Sequence, residues 1–230
     1  MRPEPKAVMF DLDDTLYPLR RFVHSGFTAV ADHLEQTWRV DRREALAVLG
    51  RASRGSSCGH ELQACVTHFG LTLGIVPELV QVIRRHTPAL RLPLTSRHAL
   101  EALRNGWRIA IVTNGLPDLQ ARKVDALGIR FLADTIVYAD ELAGKPEREP
   151  FLVAAQRLGV EPGRAIFVGD DARCDVFGAA RVGMKTIHVT RHGRSGVPAC
   201  FADATVATLA DVPAIAERLL ADVRWSSHVA

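Results

Sequence analysis

The apolar positions along the chain fall into two regimes. Ala7-Val8-Met9-Phe10 is an unbroken apolar run that stops at Asp11, which predicts a short strand buried on both faces. From Phe22 the period changes. Phe22, Val23, Gly26, Phe27, Val30, Ala31, Leu34 and Trp38 lie at helical spacing and predict one long amphipathic helix. Asp41 with Glu44 three positions on has the form of a capping pair opening a second helix over Ala45 to Leu49. A small, polar, Gly/Ser-rich break from Gly50 to Gly59 follows. Leu62, Cys65, Val66 and Phe69 form a third helical stripe, and Pro77 opens a fourth. Residues 18–91 therefore read as all helical.

From Pro93 strands and helices alternate. A helix near Ser96 to Arg104 precedes a buried strand at Ile109 to Val112, and Pro117 starts a helix that Gly128 stops. Strands follow at Thr135 to Tyr138, Ala165 to Val168 and Thr186 to Val189, with a weak sixth at Ala204 to Val206. Helices are expected around Phe151 to Leu158, from Asp175 to Val182, and from Val212 to Leu220. Regular alternation implies right-handed crossovers and a parallel sheet covered on both faces. The first strand belongs to that sheet, so the expected division is a core of residues 1–17 and 92–230 with residues 18–91 inserted as a helical domain.

Composition adds bounds. The chain has 230 residues, 47% of them hydrophobic, enough for one sizeable core and a smaller second one. The net charge of +3 is spread along the sequence without a basic run, so no nucleic-acid or membrane partner is expected. Cys58, Cys65, Cys174 and Cys200 lack C-x-x-C spacing and are expected as reduced thiols. No apolar run has the length of a signal peptide or a membrane span, and the expected location is the cytoplasm.

The candidate chemistry sits just past the carboxyl ends of the strands. Asp11, Asp13 and Asp14 follow the first, Thr113 and Asn114 the second, Lys145 the third, and Asp170, Asp171 and Asp175 the fourth. Open parallel sheets bind ligands along that edge. Two like charges about 4 Å apart repel by about 4 kcal/mol at an effective dielectric near 20, so such acids need a cation, a shared proton or an electropositive substrate. A helix start after Thr113-Asn114-Gly115 offers N–H groups to an anion, and Lys145 adds a full positive charge. Acids for a metal beside donors for an anion suit a phosphate with Mg²⁺.

Four motifs carry a resemblance. They are Asp11-x-Asp13-x-Thr15 after a strand, a strand ending in Thr113-Asn114, Lys145-Pro146 with Phe151 six residues past the lysine, and Gly169-Asp170 followed by Asp175. In that order the chain resembles the haloacid dehalogenase-like hydrolases of the subgroup with an inserted helical cap, and Leu16-Tyr17-Pro18 is similar to a phosphatase branch. The resemblance implies an α/β fold, a Rossmann-like parallel-sheet core with an all-helical cap, acting as a Mg²⁺-dependent phosphatase of a small phosphorylated metabolite. It implies Asp11 as nucleophile forming an aspartyl-phosphate and Asp13 as general acid and base. Thr113, Asn114 and Lys145 are implied to bind phosphate, and Asp11, the Asp13 main-chain carbonyl and Asp170 to hold the metal. Asp171 and Asp175 are implied in support, Asp175 orienting Lys145 or a metal-bound water, with a plain helix cap as its other reading.

Alternatives stay open. A phosphomutase shares all four motifs, a haloacid dehalogenase of this superfamily lacks an acid at the position of Asp13, and a phosphate-binding module without catalysis is a third. In the cap, Arg20, Arg21, His24, Arg51, Arg54 and His60 read as surface residues with a second reading as substrate contacts, and Arg54 to Gly59 is the expected specificity loop.

Overall fold

The computed structural model describes residues 4–56, 58–190 and 202–226. Six parallel strands form one sheet in the order β3-β2-β1-β4-β5-β6, with β1 Ala7–Phe10, β2 Arg108–Thr113, β3 Thr135–Tyr138, β4 Ala165–Gly169, β5 Lys185–Val189 and β6 Ala204–Val206. Chain order moves outward from β1 in one direction to β3, then returns to β1's other side with β4. The strand order reverses beside β1, the place where an open sheet leaves a crevice at its carboxyl edge. The strand β1 pairs with β2 through Phe10↔Ile111 and with β4 through Phe10↔Val168, and its four side chains are fully buried.

The described residues divide into two compact units, Met1–Pro18 with Arg91–Ala230, and Leu19–Leu90. The second is all helical: α1 Arg20–Trp38, α2 Arg42–Ala52, α3 Glu61–His68 and α4 Val76–Arg85, around a core that includes Phe27, Val30, Leu34, Leu49, Val66 and Leu79. Asp41 caps α2 by accepting from the Glu44 N–H at 2.7 Å. Glu44 does not return the bond as a full capping box would; its carboxylate pairs with His68 of α3 at 2.9 Å.

In the first unit the helices are α5 Leu94–Leu103, α6 Pro117–Leu127, α7 Arg148–Leu158, a short α8 Gly178–Ala180, and α9 Val212–Ser226. Helix α7 starts three residues before the expected Phe151 because Pro150 falls in its first turn, where its missing N–H has no intrahelical partner to lose. Helix α9 runs past the expected Leu220. The segment Ala172–Phe177 winds as a π-helical turn, which periodicity did not anticipate. Among the described residues no helix is long and apolar enough to cross a membrane. Cys58, Cys65 and Cys174 are free thiols, and Cys200 lies outside the described residues.

Candidate active site

Asp11 is the first residue past β1, and its backbone N–H still donates to Val168 of β4 at 3.0 Å, so the strand fixes where the carboxylate emerges. The chain then turns tightly. Leu16 N–H reaches back to the Leu12 carbonyl at 3.0 Å, and Asp14 takes a left-handed conformation with φ 59°, which aspartate tolerates better than most residues. Ser96 of α5 holds the turn from behind by donating to the Leu16 carbonyl at 2.6 Å.

Four loops bring their groups to this edge. Lys145 Nζ donates to Asp11 Oδ1 at 2.6 Å and to Asp175 Oδ1 at 2.7 Å, with all three side chains almost wholly buried. Ligand oxygens of Asp11, Asp170 and Asp175 lie within 4.8 Å of one another. Three carboxylates and one ammonium leave two negative charges uncompensated, the charge that a divalent cation carries. The same crowding bears on the protonation of each group. Burial pushes the Asp11 carboxyl up to about 7 against the pull of Lys145, with Asp175 and Asp13 adding to the rise. Burial and then the Asp11 charge push Asp170 up to about 6. Burial likewise raises Asp175. It works against the Lys145 ammonium too, but the two flanking carboxylates outweigh it and hold the lysine above its ordinary range. Hard oxygen donors this close, with that charge deficit, fit a small divalent ion.

Local sequence explains the approach. Gly169 ends β4 directly under Asp175, and a methyl group on it would overlap the Asp175 carboxylate. Asp175 has both oxygens engaged, the second accepting from the Asp171 N–H at 3.1 Å, which leaves it a bracket for Lys145 more than a free ligand. The capping role falls to Asp171, whose side chain accepts from the N–H groups of Arg173 and Cys174 at 2.9 and 2.6 Å. Thr15 donates to Asp170 at 3.1 Å, and His188 of β5 meets the Asp170 carbonyl at 3.0 Å.

Thr113 and Asn114 also have partners within the protein. The Asn114 carboxamide accepts from the Lys145 N–H at 2.8 Å and donates to the Lys145 carbonyl at 2.9 Å, so the Asn114 side chain pins the lysine. The Thr113 hydroxyl is buried and accepts from Gln120 Nε2. Asp13, two residues past Asp11, faces another set of partners: Tyr17 OH, Gln120 Nε2 at 3.0 Å, and Lys123 Nζ at 2.8 and 3.0 Å. Gln120 and Lys123 were missed in the sequence, although the signal was present. With Val124 and Leu127 they occupy the buried stripe of α6, so two polar residues stand where the period reserves apolar ones. Of the expected cap residues, Arg21 and His24 border a cavity of about 500 Å³ within the helical unit. The expected specificity loop lies between α2 and α3, and its Ser57 is outside the described residues.

Glyceraldehyde 3-phosphate phosphatase of Methanopyrus kandleri is 30% identical over 201 residues, spanning 81% of this chain and 84% of that one. Phosphoserine phosphatase of Thermus thermophilus is 35% identical over a shorter stretch of 113 residues, 49% of this chain and 45% of that one. Among solved structures, a HAD phosphatase from Thermococcus onnurineus aligns over 91% of this chain and 97% of its own with a TM-score of 0.62 and 32% identity. The family model for haloacid dehalogenase-like hydrolases matches residues 5–183, most of the chain and every motif residue from Asp11 to Asp175, and the protein belongs to that family.

Proposed function

We propose that the protein is a Mg²⁺-dependent phosphatase of small phosphorylated metabolites, working through an aspartyl-phosphate on Asp11. The observation that carries the reading is the clustering of the Asp11, Asp170 and Asp175 carboxylates within 4.8 Å of one another, two of them paired with the Lys145 ammonium. Asp11 attacks phosphorus with Oδ, forming a new P–O bond while the bond from phosphorus to the substrate oxygen breaks. The proton that the departing alkoxide needs comes from the Asp13 carboxyl. In the second half, Asp13, now a carboxylate, takes a proton from water as the water oxygen bonds to phosphorus and the P–O bond to Asp11 breaks. Phosphate leaves, and both aspartates return to their starting forms. Lys145 and the Thr113 hydroxyl stabilise charge on the oxygens of the transferring group, and Asn114 and Asp175 hold Lys145 in place. Asp11, Asp170 and the main-chain carbonyl of Asp13 would hold Mg²⁺, which when bound supplies positive charge beside the phosphate oxygens.

The relatives named above act on glyceraldehyde 3-phosphate and on phosphoserine, and both support a small phosphomonoester as the substrate class. Dehalogenation is the weaker reading on chemical grounds. A halide leaves as a stable anion and needs no proton, so the frame of three donors around Asp13 would have no task. The test is a phosphate-release screen over nucleotides, sugar phosphates, phosphoglycolate, glyceraldehyde 3-phosphate and phosphoserine, with Mg²⁺ and with chelator, using Asp11→Asn as control. Release that depends on Mg²⁺ and on Asp11 supports the proposal. Release that survives thorough chelation, or persists in the variant, overturns it.

A further inference from the structure

Lys123 is 4% exposed and Gln120 1%, on successive turns of α6. A buried ammonium is costly unless paired, and a lysine at the core stripe of a helix has no packing reason to be there. Its ammonium donates to both oxygens of the Asp13 carboxylate, at 2.8 Å to one and 3.0 Å to the other. The Gln120 amide nitrogen spans from Asp13 Oδ2 to the Thr113 hydroxyl, so one side chain touches both the proposed acid and the proposed phosphate contact. The fully buried Tyr17 hydroxyl donates to the other Asp13 oxygen. Helix α6 starts three residues after Thr113-Asn114, and the φ of 116° at Gly115 turns the chain so that Gln120 packs over the loop.

We infer that Lys123, assisted by Gln120, is a positioning residue for Asp13. It fixes the carboxyl beside the leaving oxygen and steadies the carboxylate that forms as Asp13 gives up its proton. The inference rests on the phosphatase reading above. It differs from a purely structural ion pair in one respect: its energetic contribution enters only when the leaving group must be protonated. An alkyl alkoxide needs that proton, whereas nitrophenolate leaves unaided. The proton passes from Asp13 to the leaving oxygen in both accounts; only the support for Asp13 is at issue.

The experiment measures first-turnover release of the leaving group, by rapid quench with Mg²⁺, from glycerol phosphate and from p-nitrophenyl phosphate. Wild type is compared with Lys123→Met, with Gln120→Leu, and with Lys123→Met in an Asp13→Asn background. The expected result is a fall of about 100-fold on the alkyl ester in Lys123→Met, the scale of general acid catalysis, with the aryl ester little changed. Gln120→Leu shifts the ratio the same way by a smaller factor, and it carries the test if Lys123→Met does not fold. In the Asp13→Asn background the lysine change has no further effect, because the two residues act as one unit. Equal losses on both esters, or a further loss without Asp13, overturn the inference while leaving the phosphatase reading standing. Failure of wild type to release either leaving group overturns both.

Discussion

The Asn114 side chain grips Lys145 by its backbone at both polar ends, N–H to Oδ1 at 2.8 Å and Nδ2–H to the carbonyl at 2.9 Å. This two-bond clamp joins the loop after β2 to the loop after β3 and sets where the lysine enters the site. Asn114→Ala removes both bonds and leaves buried backbone groups unpaired, at about 1–3 kcal/mol. The expected kinetic signature is a lower kcat with little change in KM, since the phosphate loses a well-placed lysine and not a direct contact. Steady-state kinetics with urea denaturation checks both halves.

The Lys145 ammonium bridges the carboxylates of Asp11 and Asp175 at 2.6 and 2.7 Å. Lys145→Met leaves two buried carboxylates facing each other, and breaking a buried pair in this way costs about 3–5 kcal/mol. Pairing it with Asp175→Asn should recover part of that loss, because one of the stranded charges disappears with it. Chemical denaturation of the single and double variants measures the recovery. Equal stability of the two would remove the Lys145–Asp175 contact from the account.

The pH dependence has a definite sign. Asp11 at about 7 and Asp170 at about 6 both lie above the ordinary carboxyl value of 3.8. Between those limits the native state holds more protons than the unfolded chain, so metal-free stability from these two groups is full below about pH 4 and is lost as pH rises through 6 and 7. A cation that binds the ionised forms reverses the loss. The gain in Tm on adding Mg²⁺ should be near zero at about pH 5 and grow to about 5–10 °C at about pH 8 with Mg²⁺ at 100-fold over its Kd. Melting curves in Mg²⁺ and in chelator give the difference directly, and the unrelated titrations cancel.

Much of this architecture is legible in the residues. Runs such as Ala7-Val8-Met9-Phe10 and Ala165-Ile166-Phe167-Val168 are strands buried on both sides, and their shortness and bounding polar residues pointed to central strands of a covered sheet. What was hard to see lay at the polar margins. Strand β2 takes in Arg108 and Thr113 because its neighbours supply pairing partners, Ala7 and Tyr138, a long-range fact that local hydropathy does not hold. The π-helical turn at Ala172–Phe177 arises where the Asp171 carbonyl accepts from the N–H groups of both Asp175 and Val176, which no periodicity reports. The clamp that Asn114 forms on Lys145 joins two loops, a long-range pairing that its place after a strand does not announce. Gln120 and Lys123 lie on the buried stripe of α6, but only the assembled sheet edge puts Asp13 beside them.

The central claim is that the Asp11 carboxylate takes the phosphoryl group. Mass spectrometry of enzyme mixed with substrate and Mg²⁺, and acid-quenched within the first turnover, tests it most directly. The account predicts one added phosphoryl group on the peptide that contains Asp11, lost on a chase with buffer and absent in Asp11→Asn. Turnover with no phosphorylated peptide in the trapped enzyme of a variant slowed in the second half, such as Asp13→Asn on an aryl ester, or a label on any other residue, would contradict it.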